Sequence, residues 1–321
     1  MGRADQEGRH QAALIRGYGS MNRTVAFIGL GNMGHPMAMR LVGAGFRVVA
    51  YDRSEAVLQR AVDGGASPAS SPAAAAADAD RVVCMVGTTG QTEQVLFDAN
   101  GIAGAARKDG VVLCMNTIEP AAARRFAARL AACGVAMLDA PVSGGTPRAA
   151  AGTLVVMAGG DAAVFERCRD VFAAVGNDCR LVGPAGAGMA MKLVNNMLAQ
   201  INIVAMCEAF VLAERAGLDM ELMCEIVRAG TGDSAAFRAR DRRLLARDFV
   251  PGGSVDICLK DQELQTAFAH ELGMPLMVAS LTKQIYQAAH AAGYGGEDAG
   301  AVIKVFEAMA GKGVRSAGTA G

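Results

Sequence analysis

The run Val25-Ala26-Phe27-Ile28 breaks abruptly into Gly29-Leu30-Gly31-Asn32-Met33-Gly34, and no other feature constrains the fold of this chain as tightly. Four consecutive apolar residues leave no polar face for water, so they predict a strand covered on both sides, as in a parallel sheet. Each of the three glycines at this spacing then meets a separate need. Gly29 permits a tight turn, Gly31 lets an anionic group approach the backbone, and Gly34 lets the following helix, Met33–Val42, pack close on the strand. The start of that helix offers unpaired N–H groups and the positive end of a dipole to a phosphate. A second apolar strand, Arg47–Tyr51, leads directly into Asp52, about 20 residues on.

The pattern continues along the chain. Strand-like runs at Arg81–Val86, Val111–Met115, Ala136–Ala140 and Leu154–Ala158 alternate with helical segments at Glu55–Val62, Glu93–Asp98, Ala121–Ala132 and Ala162–Ala174. Such alternation predicts an α/β fold, a Rossmann-type doubly wound domain. After Gly183 the strands stop and helical runs dominate to about Met309. Pro184-Ala185-Gly186-Ala187-Gly188 reads as the boundary, and it opens a long helix, about Met189 to Ala216, closed by Gly217 in a left-handed C-terminal turn. The expected organisation is an extension over 1–20 that lies outside the fold, with Met21 as a candidate native start. A dinucleotide-binding domain follows over 21–183, then an all-α domain over 184–321 for substrate closure and oligomerisation. With 321 residues, two domains are the natural division.

Composition excludes several classes of function. Lys plus Arg is 31 and Asp plus Glu is 31, so the chain lacks the basic footprint of a nucleic-acid binder. Hydrophobic residues at 52 % and charged residues at 19 % supply a large core and exclude disorder for the bulk of the chain. The eight cysteines form no Cys-x-x-Cys pair and read as reduced, small core residues. His10, His35, His270 and His290 lack metal-ligand spacing, so no metal is expected. The most apolar stretch, Leu193 to Cys207, is interrupted by Asn195, Asn196, Gln200 and Asn202, short of the clean apolar run that spanning needs. The first 20 residues carry no apolar core of a secretory signal, which makes the cytoplasm the expected location.

The strand–turn–helix context makes Gly29, Leu30, Gly31, Asn32, Met33 and Gly34 the expected pyrophosphate cradle of a dinucleotide. Asp52 sets its flavour, because a carboxylate there accepts the ribose hydroxyls of NAD and repels a 2′-phosphate. Arg53 beside it offers a phosphate partner, so NADP stays as the less favoured cofactor.

Two further stretches carry chemistry. Leu138-Asp139-Ala140-Pro141-Val142-Ser143-Gly144-Gly145 ends in a donor-rich turn able to aim backbone N–H groups and the Ser143 hydroxyl at a carboxylate. Lys192 and Asn196, four apart, share one face of the long helix. Burying them without partners is costly, so they either pair internally or line a wet cleft. Periodicity leaves both open.

Taken in order, the Gly29–Gly34 fingerprint with Pro36-Met37-Ala38, the Asp139–Gly145 stretch, the Lys192-to-Asn196 helix and Leu259-Lys260-Asp261 resemble the β-hydroxyacid dehydrogenase family over about Thr24 to Met309. The resemblance implies a catalytic Lys192, with Asn196 holding the lysine and the substrate. It implies substrate-carboxylate binding by Ser143, Gly144 and Gly145, a Lys260 that serves nicotinamide and substrate, and a Thr117 that contacts the nicotinamide ribose region. The family often shows Ser-Thr where this chain has Asn116-Thr117, which makes Asn116 a possible substrate-side variation.

These residue types suit reversible hydride transfer between a nicotinamide and a small β-hydroxy acid of the 3-hydroxyisobutyrate kind. A neutral amine takes the hydroxyl proton during oxidation and returns it during reduction. Free lysine titrates at roughly 10.4, and a partly desolvated cleft with a second cation, Lys260, is expected to lower that value. Alternatives are a reductase of tartronate or succinic semialdehyde or of glyoxylate, an L-threonate dehydrogenase, or, in another class, a non-catalytic NAD-binding sensor. A decarboxylating 6-phosphogluconate dehydrogenase is disfavoured because Asn195-Asn196 stands where that enzyme has His-Asn. Imine reductases generally lack the lysine. The basic segment Arg238 to Arg247 reads as a solvated helix face, with an extra anionic substrate group as the sharper alternative. The apolar surface of the later helices predicts a homodimer or homotetramer.

Overall fold

The computed structural model describes residues 23–311, so the expected 1–20 extension lies outside the described residues. Two compact units divide between Lys192 and Leu193.

The first unit is built on one sheet of nine strands: β1 (Thr24–Ile28), β2 (Arg47–Tyr51), β3 (Ser67–Pro68), β4 (Arg81–Cys84), β5 (Val111–Cys114), β6 (Ala136–Asp139), β7 (Val142–Ser143), β8 (Leu154–Gly159) and β9 (Gly176–Gly183). Their order is β3-β2-β1-β4-β5-β6-β8-β7, with β9 paired to β8. From β3 to β6 every pairing is parallel. The order reverses between β1 and β4, which is the switch point where doubly wound sheets open a crevice at the strand ends. β1 shows why this sheet is covered on both faces. Val25 and Phe27 enter one core cluster and Ala26 and Ile28 the other, all at most 1 % exposed. Burying a side chain such as Phe27 contributes about 2–3 kcal/mol.

Three departures from the sequence reading lie beyond β6. β8 runs antiparallel to β6 and β7, because the intervening segment is only a short strand and the Gly145–Ala151 helix, too short for a parallel crossover. β9 was not expected. Its alternating exposure, with Asn177 and Arg180 facing water, hides it among polar residues. The expected Ala162–Ala174 helix is two helices, Ala162–Arg167 and Arg169–Val175, meeting at Cys168.

The long helix spans Ala187–Arg215, and Gly217 beyond it adopts a φ of 73°, the left-handed turn expected there. Among the described residues no strand follows Gly183. The second unit adds helices Met220–Ala229, Ala235–Leu245, Val255–Glu271, Met277–Ala289 and Ile303–Ala310. Asp219, Ser234 and Ser254 cap the first three of these by accepting the N–H of Leu222, Phe237 and Ile257. Each such cap contributes about 1 kcal/mol. Phe210, Phe237, Tyr286 and Val302 are central to the core of this unit.

By length and composition alone, Ala187–Arg215 could cross a membrane, contrary to the sequence reading. Two of its polar side chains are bonded within the second unit. Asn196 donates to Asp261 at 2.6 Å, and Gln200 accepts from Gln265 at 2.9 Å. All eight cysteines are free thiols. Burial pushes Cys84, Cys168 and Cys258 up to about 12, which makes them packing residues rather than nucleophiles.

Candidate functional site

The fingerprint turn folds as its glycines require. Gly29 has a φ of 93°, and a Cβ there would stand 2.5 Å from the Met85 carbonyl oxygen. A Cβ on Gly34 would meet the Gly29 carbonyl oxygen at 2.0 Å, so the helix Gly34–Gly43 sits directly on the turn. Around Gly31 the space is open, with nothing within 4 Å of a Cβ. Asn32 is exposed, and Met33 occupies the N-cap without a side-chain bond to the first turn.

Asp52 ties this turn to the end of β2. Its Oδ2 accepts the Leu30 N–H at 2.7 Å and its Oδ1 accepts the Ser54 N–H at 2.9 Å. Each carboxylate oxygen keeps a further lone pair for a ribose hydroxyl. A cavity of about 710 Å³ lies here, lined among others by Gly29, Gly31, Asp52, Arg53 and Met85. Its volume, its glycine cradle and its carboxylate fit the adenosine end of a dinucleotide. Asn32 and Met33 do not line this cavity, whereas the exposed Arg53 does.

Thr117 is half-buried just past β5. Asn116 is not a substrate-side group. It is buried, donates from Nδ2 to Thr92 Oγ1 at 2.9 Å, and receives the Cys114 thiol at 3.2 Å.

Ser143 ends β7 half-buried, paired with Val155 across β8. Gly144 and Gly145 follow with φ of 138° and 70°, a turn in which two consecutive side chains would be strained. Four residues before Ser143, the buried Asp139 accepts the Gly186 N–H at 2.7 Å and the Met189 N–H at 2.9 Å. The end of β6, four residues before Ser143, and the start of the long helix are thus joined through one carboxylate. Burial raises Asp139 to about 6 against the pull of those N–H groups. The sequence reading gave Asp139 no role, because its partners lie 47 and 50 residues away.

Lys192 follows one turn later and is 9 % exposed. It closes the first unit, while Asn196 and Lys260 belong to the second. There Asp261 gathers both: Asn196 Nδ2 donates to Oδ2 at 2.6 Å, and Lys260 Nζ lies 3.0 Å from Oδ1. The Leu259-Lys260-Asp261 motif does not by itself reveal this role of Asp261, and Lys260 is a paired cation rather than a lone one. The basic segment is also paired. Arg238 meets Asp233, Arg240 meets Asp298 at 2.8 Å, Arg242 meets Glu221, Arg243 meets Asp248 at 2.9 Å, and Arg247 meets Glu307. In these pairs Arg240, Arg242 and Arg247 reach other elements of the unit while Arg238 and Arg243 bond locally, so each guanidinium already has a carboxylate, which disfavours the anionic-substrate alternative for this segment.

Residues 24–183 match the family described as the NAD binding domain of 6-phosphogluconate dehydrogenase. Residues 186–306 match the one described as NAD-binding of NADP-dependent 3-hydroxyisobutyrate dehydrogenase. The chain is 39 % identical to L-threonate dehydrogenase of Cupriavidus necator, over 89 % of this chain and 97 % of the relative. It is 37 % identical to 2-(hydroxymethyl)glutarate dehydrogenase of Eubacterium barkeri, over 89 % and 96 %. The crystal structure of 3-hydroxyisobutyrate dehydrogenase from Salmonella typhimurium superposes with a TM-score of 0.81 at 36 % identity, over 88 % of this chain and 99 % of the other.

This chain belongs to the β-hydroxyacid dehydrogenase family. It is an NAD(P)-dependent oxidoreductase that acts on the CH–OH group of small hydroxy acids, with NAD as the supported cofactor.

Proposed function

We propose that the chain oxidises a small β-hydroxy acid, with Lys192 as general base and Ser143, Gly144 and Gly145 as the seat of the substrate carboxylate. L-threonate is the first substrate to test, since a relative 39 % identical bears that activity in its name. One observation carries the reading. The carboxylate that leads into the Ser143 turn also bonds the first turn of the helix that carries Lys192. Carboxylate seat and amine are therefore built on one rigid junction, as acid–base chemistry on a bound acid requires.

Bound NAD supplies the hydride acceptor. The chain's residues do the rest. The Gly29–Gly34 turn and Asp52 hold the nucleotide, and Thr117 supports its nicotinamide side. Lys192 takes the hydroxyl proton when its amine is neutral and gives it back during reduction. By the family resemblance Asn196 and Lys260 serve the same reaction, and within the helical unit Asp261 holds both side chains. NAD is favoured over NADP because the Asp52 carboxylate, already ordered by two backbone N–H groups, repels a 2′-phosphate.

The helical unit exposes Leu212, Ile226, Met277 and Leu281 to 62–81 %. Such apolar exposure supports a homodimer or homotetramer. A monomer mass by light scattering at micromolar concentration would contradict that assembly.

The central test is NADH formation over a panel of L-threonate, 3-hydroxyisobutyrate and D-glycerate, with wild type and Lys192→Ala side by side. One acid is expected to turn over in the wild type, and the variant to lose more than tenfold in kcat, about 1.4 kcal/mol of barrier. A folded variant that keeps kcat within tenfold removes Lys192 from the role. Binding of NAD without turnover of any acid favours the sensor.

A further inference from the structure

We propose that Asp139 is a positioning residue: its carboxylate clamps the first turn of the Ala187–Arg215 helix to the end of β6 and so fixes where the Lys192 amine stands. The proposal rests on the reading of Lys192 as the acid–base group.

The clamp is geometric before it is electrostatic. Both carboxylate oxygens are used, Oδ1 by the Gly186 N–H at 2.7 Å and Oδ2 by the Met189 N–H at 2.9 Å. Asp139 is 2 % exposed, so water cannot substitute for either bond. Three glycines bring the backbones into this contact. A Cβ on Gly188 would stand 2.3 Å from the Met157 carbonyl oxygen and 2.4 Å from that of Asp139. One on Gly159 would lie 2.7 Å from Asp139 Oδ1, and one on Gly186, whose φ is 89°, would meet the Pro120 carbonyl oxygen at 2.9 Å. The helix start has no room to slide.

A shift of a single residue moves a helix by about 1.5 Å along its axis, and a misplacement of about 1 Å at a reacting group costs on the order of 100-fold in rate. Met189 and Lys192 lie one turn apart, so any play at the clamp is passed to the lysine backbone. The negative carboxylate also complements the positive end of the helix. The titratable and charged groups near it are the Cys114 thiol, in register on β5, and Arg124, whose side chain lies against Gly186. Burial holds Cys114 well above its ordinary value, so it stays neutral at working pH.

Asp139→Asn tests the clamp, since it keeps the shape but turns one acceptor into a donor facing an N–H. In single-turnover NADH formation at pH 7.5, with whichever acid the wild type oxidises fastest, the rate is expected to fall 10- to 100-fold. The Kd for NAD should stay within threefold. A rate within threefold of wild type, or a loss carried entirely by the NAD Kd, overturns the proposal.

Should the variant not fold, hydrogen exchange over residues 186–192 of the wild type decides. After correction for intrinsic rates, protection is expected to fall at least threefold from pH 7.5 to pH 5, as the carboxylate takes a proton. Protection that stays within threefold sinks the clamp. Repeating the exchange in Lys192→Ala removes the amine's own titration. If that variant keeps its turnover, the acid–base reading fails while the exchange result still judges Asp139.

Discussion

Asn196 gives its side-chain amide to Asp261 at 2.6 Å, and the second oxygen of the same carboxylate lies 3.0 Å from the Lys260 ammonium. Asp261 thus joins its neighbour Lys260 to Asn196, 65 residues away from it on another helix, while it is itself 4 % exposed. A buried carboxylate with two charge-assisted partners holds both in fixed rotamers. Asp261→Asn keeps the size but removes the charge that Lys260 answers and turns one acceptor into a donor. The expected outcome is a fall in kcat/KM of about tenfold or more, that is ~1.4 kcal/mol. Loss of the buried acceptor is expected to cost about 1–3 kcal/mol of stability. Steady-state kinetics and urea unfolding measure the two separately, and unchanged kinetics in a folded variant would detach Asp261 from the site.

Asp52 orders the glycine turn and, as proposed above, selects the cofactor, and its replacement bears on both. Asp52→Ser removes the charge proposed to oppose a 2′-phosphate and the acceptor of the Leu30 N–H. The preference for NAD over NADP, read as the ratio of kcat/KM values, is expected to shrink at least tenfold, with the NAD value itself falling as the turn loosens. If the ratio stays where it was, cofactor choice lies with other residues.

The Arg238 to Arg247 segment is a stability element, and its hub is Asp298. This carboxylate is 2 % exposed and receives Arg240 at 2.8 Å and Arg243 at 3.3 Å. Burial alone would raise the Asp298 carboxyl, but the Arg240 guanidinium and the Gly300 and Gly252 N–H groups hold it below the usual value. Asp298→Ala leaves a partly buried guanidinium without its partner and is expected to cost about 3–5 kcal/mol. The sign of the pH effect follows from the lowered value. The stabilisation is present above the ordinary carboxyl pKa and is lost as pH falls through the lower folded one. The urea midpoint of the variant should therefore approach that of wild type only in strong acid. Equal midpoints at neutral pH would refute the hub.

Legibility in the sequence follows the range of the interactions. β1, the glycine turn and Asp52 were readable because their physics is local: an apolar run, positive-φ positions and a carboxylate at the next strand end. The left-handed Gly217 is local in the same way. The motifs that contain Asp139 and Asp261 do not reveal their roles, since the Gly186 and Met189 N–H groups and the Asn196 amide that define them lie 47 to 65 residues away. Nothing in the spacing of Arg238 to Arg247 showed that Asp298 and Glu307 would come to meet it. β9 escaped because an edge strand with one wet face reads like a loop. Asn116 was misassigned because its neighbour Thr117 belonged to a cofactor motif, whereas its own side chain turns inward to Thr92.

The buried Asp139 carboxylate makes a prediction about stability whose sign is opposite to that of Asp298. Burial raises it from 3.8 to about 6, so the folded protein takes up this proton more readily than the unfolded chain. A carboxyl with a raised folded value contributes stability that is fully present below the unfolded value and is lost as pH rises through the folded one. Between about pH 4 and pH 6 this group should therefore cost wild type about 3 kcal/mol, from roughly two units at 1.36 kcal/mol each. Asp139→Asn has no proton to exchange. Urea unfolding of both proteins at pH 4.5, 5.5 and 7.5 should show the wild-type-minus-variant difference falling with pH and levelling above about pH 6.5. A difference that is flat across the series, or that rises, would mean that the carboxylate is ionised at no cost. A falling difference alongside a slow Asp139→Asn enzyme would show that the folded state keeps this buried charge at the expense of stability, because hydride transfer needs the helix held where it is.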